Sequence, residues 1–152
     1  MPKPNQQEKN VHDNLEFDFI YDLYRLLNPL KELTVYLSAS KYVTTSFLHP
    51  SIYKLVTFIY PEMKFSDPSI EKLKIDLIQN LKRRFIYVLN PNMNDFFIMA
   101  PYLDFKYRKF SYLNDDSKST KMAKRAQNIV IKYYKLYLEH KNAEISQVET
   151  NA

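Results

Sequence analysis

Apolar residues return at three- and four-residue steps along most of this chain, and that period predicts helices rather than strands. The first set, Leu15, Phe19, Leu23, Leu26, Leu27, Leu30, Leu33 and Leu37, lines one face of an amphipathic helix. Pro29 falls inside it and predicts a kink or split, since proline lacks a backbone donor and crowds the preceding turn. The β-branched patch Val43-Thr44-Thr45 predicts an extended connector. A second helix is expected from Pro50, with Ile52, Leu55, Val56 and Ile59 on one side and Pro61 closing it. Asp67-Pro68 reads as an N-cap followed by an N1 proline, and opens a helix carrying Ile70, Leu73, Leu77, Leu81, Phe85 and Val88. Asn90-Pro91-Asn92 predicts a turn, and the apolar run Phe96-Phe97-Ile98-Met99-Ala100 a short buried helix. A last helix is expected from Ser119 to His140, with Met122, Ala126, Ile129, Val130, Tyr133 and Tyr137 facing inward.

The polar ends complete this layout. Residues 1–13 read as a disordered lead-in, 14–141 as a single helical domain and 142–152 as a flexible tail. No stretch alternates as a paired strand would, and no hairpin has a glycine turn. The expected class is all-α, an irregular bundle of about five helices.

Composition narrows the chemistry more than the architecture. With 152 residues the chain has one domain's worth of length, and it contains neither glycine nor cysteine. The missing glycine argues against P-loops, dinucleotide-binding turns, nucleophile elbows and standard EF-hands. The missing cysteine removes disulfides, thiolate nucleophiles and Cys-ligated zinc modules. His12, His49 and His140 have no short metal-ligand spacing, so neither a metal nor a small-molecule cofactor is expected. No apolar run spans a bilayer and the start has no signal-type apolar core, which predicts an intracellular chain without a membrane partner. The formal charge of +5 suits an anionic partner. An AT-rich coding sequence would also produce abundant Lys, Asn, Ile, Tyr and Phe, so basicity alone names no partner.

Two phrases carry a family resemblance. The first runs Leu27-Asn28-Pro29-Leu30, Thr34, Leu37-Ser38, Lys41-Tyr42, Thr44-Thr45-Ser46 and Pro50. The second is Ile98-Met99-Ala100-Pro101-Tyr102-Leu103-Asp104-Phe105-Lys106-Tyr107-Arg108. In this order they resemble the hAT transposase family, including the zinc-finger BED domain proteins derived from it. That family runs L-x-P-(F/L)-x-x-x-T-x-x-L-S, then K-Y-x-T-x-S, and later I-A-x-x-L-D-P-R-(F/Y)-K. Phe105 stands where the family has proline, and Lys106 and Arg108 exchange the family's Arg and Lys. The resemblance covers about residues 15–113. The family's RNase H-like acidic motifs and its BED finger have no counterpart here. The resemblance therefore implies a truncated, non-catalytic helical region from between the second and third acidic residues. It also implies DNA, self or another transposase-like chain as partner, and the nucleus as location.

The residues themselves offer one functional hint. Lys118, Lys121, Lys124, Arg125, Lys132, Lys135 and Lys141 face only Glu139 on the last helix. Such a stripe neutralises phosphates without reading bases, and it equally describes a solvated helix face. The candidate nucleic-acid contacts are Lys82, Arg83 and Arg84, then Lys106, Arg108 and Lys109, then Lys121, Lys124 and Arg125. Tyr107 and Tyr112 lie beside the second group as candidate stacking platforms, or as core. Tyr133, Tyr134 and Tyr137 are expected to pack with their hydroxyls outward. No catalytic residue is assigned: Asp13, Glu16, Asp18 and Asp22 go to several helix faces, Asp104 reads as a turn, cap or partner of Arg108, and Asp115-Asp116 leads into a helix. His49 is read as a loop residue beside a helix start, and His140 as a last-turn residue meeting the helix dipole.

Overall fold

The computed structural model describes the backbone of residues 6–39, 45–90 and 94–150, and the side chains of 17–38, 45–90 and 94–144. Every regular element among them is helical, in line with the all-α expectation. The elements are α1 (Gln6–Ala39), α2 (Thr45–Lys54), a π-helical turn (Leu55–Ile59), α3 (Tyr60–Glu62), α4 (Pro68–Arg84), α5 (Ile86–Leu89), α6 (Phe96–Leu103), a 3-10 turn (Ser111–Leu113) and α7 (Asp116–Thr150). No helix among the described residues is long and apolar enough to cross a membrane.

The chain divides into two compact units. The first holds α1 and Ser51–Phe85; the second holds Thr45–Pro50 and everything from Ile86 on.

In the first unit α1 packs against α4. The helix starts at Gln6, inside the stretch expected as lead-in, and runs unbroken through Pro29. Proline leaves the carbonyl one turn back without its amide donor. Side-chain bonds hold the helix on either side: Asn28 Nδ2 donates to Glu32 Oε1 at 2.8 Å and Thr34 Oγ1 to the Leu30 carbonyl at 2.8 Å. Of the predicted inward leucines, Leu26 is fully buried and Leu27 is exposed. Full burial of one such side chain is worth about 1.5–3 kcal/mol.

The segment α2–α3 begins at Thr45, five residues before Pro50, so Pro50 lies within the helix rather than at its start. The connector expected at Val43-Thr44 lies outside the described residues. Pro61 explains the π-helical turn: its ring crowds the carbonyl of Thr57, and the turn before it widens so that the Tyr60 amide donates to the Leu55 carbonyl. The chain leaves the helix after Glu62. Asp67 then caps α4 as predicted, accepting from the Ser69 amide at 2.7 Å, with Pro68 at the first helical position.

The helix predicted through Val88 ends at Arg84 instead. Phe85 takes φ −103° and ψ 26°, and α5 starts anew at Ile86, where the two units divide. Three successive cations, Lys82, Arg83 and Arg84, complete the last turn of α4, where the helix dipole favours positive charge. Ile70 and Leu81 are buried as expected, but Leu73 is exposed and Lys74 is buried in its stead. Lys74 lies 6.0 Å from the Phe65 ring, and its ammonium pairs with Glu71 and donates to the Met63 carbonyl at 2.8 Å.

In the second unit α6 lies along α7, and the 3-10 turn also packs on α7. The short apolar run forms a helix, with Ile98 and Pro101 buried; the turn expected at Pro91-Asn92 lies outside the described residues. Two residues without the freedom of glycine adopt left-handed backbone, Phe110 at φ 53° and Asn114 at φ 52°. Asparagine visits this region readily, whereas for a β-carbon-bearing aromatic it costs about 1–2 kcal/mol. Phe110 is held there by burial and by its carbonyl, which accepts from the Leu113 amide at 3.0 Å and Ser119 Oγ at 2.8 Å. On α7, Ala126 and Ile129 are buried, but Tyr133 and Tyr137, predicted inward, are exposed, as is every residue from Ile131 to Glu144. Backbone helix continues to Thr150 through the stretch expected as tail.

Candidate nucleic-acid interface

The nine candidate cations are divided between the two units, three in the first and six in the second. Lys82, Arg83 and Arg84 are exposed on α4 in the first unit, and Arg83 donates to Asn80 Oδ1 at 2.8 Å. The other six belong to the second unit, where three of them meet. Arg108, Lys109 and Lys124 border an open groove of about 1120 Å³ between the loop that follows α6 and the first turns of α7.

The loop is built around Asp104. Its Oδ1 accepts from the Lys106 amide at 2.9 Å and its carbonyl from the Tyr107 and Arg108 amides at 3.1 and 2.9 Å. Its Oδ2 accepts from Ser46 Oγ at 2.7 Å. This is the turn-forming role read from sequence, with the carboxylate facing backbone and a serine. Further on, the buried Ser119 hydroxyl ties the end of the loop to α7 through Phe110. Asp115 sets the start of α7: its side chain accepts from the Lys118 amide at 2.9 Å and pairs with Lys118 Nζ at 3.2 Å. These hydrogen bonds hold its carboxyl below the usual range.

The α7 side of the groove is one helix stripe. Asp116, Thr120, Ala123 and Gln127 recur at steps of four, three and four and so share a face, with Lys124 beside them. Short side chains at Thr120 and Ala123 leave room above the helix. The opposite side carries Tyr102, Phe105, Arg108, Lys109 and Ser111. Phe105 is 87% exposed, and the Arg108 guanidinium lies 5.8 Å from its ring centre. None of Arg108, Lys109 and Lys124 forms an ion pair with any described residue.

The remaining candidates are placed differently. Lys106 lies over the Tyr107 ring at 5.3 Å, and Arg125 pairs with Asp95 at 3.7 Å. Lys121 is exposed on α7 and does not border the groove. Nor are Tyr107 and Tyr112 open platforms. Tyr112 is buried in an aromatic cluster in which Tyr107 meets it edge-on at 6.4 Å and Phe110 tilts against it at 5.9 Å. Tyr102 and Phe105 occupy the groove instead. In the sequence the conspicuous aromatics are the tyrosines flanked by charge. The signal available was Phe105 within a hydrophilic turn.

Comparison with known proteins adds no assignment: no protein-family model, no curated protein and no solved structure matches this chain.

His49 also departs from its sequence reading. It lies inside α2, 2% exposed, with Nδ1 2.6 Å from the Tyr112 hydroxyl and its ring edge-on to that tyrosine at 5.6 Å. Burial lowers its pKa from 6.5 to about 4, so the ring is neutral at physiological pH. Neither partner lines the groove, and the pair serves the packing of the second unit.

Proposed function

We propose that this chain is a non-catalytic helical module of hAT-transposase descent that binds nucleic acid, DNA by ancestry, through phosphate contacts from exposed cations. One observation carries the reading: Arg108, Lys109 and Lys124 converge on a single open groove without ion-pair partners among the described residues. Cations that already have a carboxylate partner gain little from a phosphate, whereas unpaired ones release counterions from the nucleic acid when they bind. Two of the three, Arg108 and Lys109, lie in or directly after the second family-like phrase. Lys121 extends the positive field along α7, and the Lys82–Arg84 run supplies a separate contact in the first unit. Such binding follows the backbone and is indifferent to base sequence.

The non-catalytic half of the reading draws on the acidic residues. Asp67, Asp104 and Asp115 each accept a backbone amide at a cap or turn, which gives these carboxylates a structural role. In this reading the module acts in the nucleus.

A mobility-shift titration with duplex DNA tests it. The triple variant Arg108→Gln, Lys109→Gln, Lys124→Gln is expected to lose most of the shift, and the α4 variant Lys82→Gln, Arg83→Gln, Arg84→Gln only part of it. Equal shifts for wild type and the groove variant would remove the interface, and Mg²⁺-dependent cutting by the purified chain would remove the non-catalytic assignment.

A second reading, an assembly module, is favoured by one observation. Ile131, Tyr134 and Leu138 recur on α7 in a stretch where every residue is exposed, so a long helix presents apolar side chains to water. Sedimentation at increasing concentration separates the two, since a strict monomer argues against assembly.

A further inference from the structure

We infer that the groove of the second unit is a site for single-stranded nucleic acid, in which an unstacked base lies on Phe105 while its phosphates meet Lys109 and Lys124. This rests on the phosphate-binding reading above and goes further, because it names the strand state and the group that selects it.

The argument starts from Phe105. A phenylalanine 87% exposed on a loop is costly to leave in water and contributes nothing to the core. Its loop is not slack: Asp104 fixes it through backbone bonds to Lys106, Tyr107 and Arg108, and the turn is closed by the Phe110 amide donating to the Tyr107 carbonyl at 2.8 Å. The ring is therefore presented from a held turn, beside Tyr102 and within cation–π distance of Arg108. Aromatic rings between cations are the elements with which single strands are gripped, since every base has a face to stack while a duplex keeps its faces covered.

The groove's dimensions and polarity agree. From Asp116 to Gln127 the α7 side is about 16 Å long at 1.5 Å per residue, enough for a few nucleotides. Three cations against one carboxylate give it net positive charge, and Asp116 stands at the end of the α7 stripe away from Lys124. The Thr120 hydroxyl and the Gln127 amide supply both donors and acceptors, so they tolerate any base edge rather than select one. A duplex would meet Lys109 and Lys124 through its backbone but would leave Phe105 without a stacking partner.

Fluorescence anisotropy of the full chain tests this with labelled oligo-dT, oligo-U and a duplex of equal length at one salt concentration. Wild type is expected to bind at least one single strand roughly tenfold or more tightly than the duplex. Phe105→Ala, at a site too exposed to disturb folding, is expected to weaken that strand roughly five- to hundredfold and the duplex far less, so that the preference is lost. Preference for oligo-dT or for oligo-U alone supports the inference. Equal affinity for strand and duplex, unaltered by Phe105→Ala, overturns it while leaving phosphate binding intact. Absence of binding to all three overturns both readings.

Discussion

Acidification should unfold the second unit through one side chain. His49 is neutral when folded, with a pKa of about 4, and titrates near 6.5 once unfolded. Between those values the unfolded chain binds more protons, so stability is full above pH 6.5 and falls as pH drops toward 4. At about 1.36 kcal/mol per unit the whole window is worth roughly 3 kcal/mol, of which about 2 kcal/mol is lost between pH 7 and pH 5. Urea unfolding at pH 7, 6 and 5 reads this directly, and the midpoint should fall by about 1 M for a typical urea dependence of 1–3 kcal/mol per M. The control is the double variant His49→Phe, Tyr112→Phe, which replaces both halves of the 2.6 Å hydrogen bond with apolar rings and leaves neither unsatisfied. Its stability should change by only a few tenths of a kcal/mol over the same range. If wild type and double variant lose stability in parallel, His49 is not the buried neutral group described here.

Three further substitutions probe the fold. The Tyr60 hydroxyl is buried with no partner among the described residues, and burial raises its pKa to about 12, so Tyr60→Phe should stabilise the chain by about 1 kcal/mol in thermal or urea melts. Lys74→Met should be close to neutral, because it keeps the aliphatic stem and removes a buried charge. Glu71→Ala, which leaves that buried ammonium without its carboxylate, should cost more than an exposed ion pair is worth, about 1–3 kcal/mol by the same melts. At Asn114, whose φ is 52°, glycine should be tolerated while alanine costs about 1 kcal/mol.

The fold was legible where a local signal and the tertiary outcome agree. Asp67-Pro68 opens α4 because cap and fixed φ act within one turn, and Leu26, Ile70, Leu81 and Ala126 are buried where the 3.6 period puts them. The period fails where helices outrun their neighbours. Tyr133 and Tyr137 continue the inward stripe of α7 but are 48% and 58% exposed, in a stretch where every residue from Ile131 to Glu144 is exposed. Proline is an ambiguous signal: α1 runs through Pro29 unbroken, whereas crowding by Pro61 produces a π turn rather than a clean stop. The end of α4 at Phe85 carries no glycine or proline, so composition gave no warning of the division there. As for the interface, basic runs were visible but their convergence was not. Lys124 meets Arg108 and Lys109 only because Phe110 accepts a left-handed turn and Ser119 ties that turn to α7. The same long-range packing buries Tyr112 against His49 and leaves Phe105 exposed, a distinction no window of sequence contains.

Electrostatic contact to phosphate is the central claim, and the ionic-strength dependence of binding tests it most directly. Each phosphate contact adds about 0.7 for a single strand or about 0.9 for a duplex to the negative slope of log affinity against log salt, so Lys109 and Lys124 alone give about −1.4 or about −1.8 and every further cation steepens it. Lys109→Gln should reduce the slope by nearly one contact. An affinity that stays constant as salt rises, or a slope that Lys109→Gln leaves unchanged, would contradict the account.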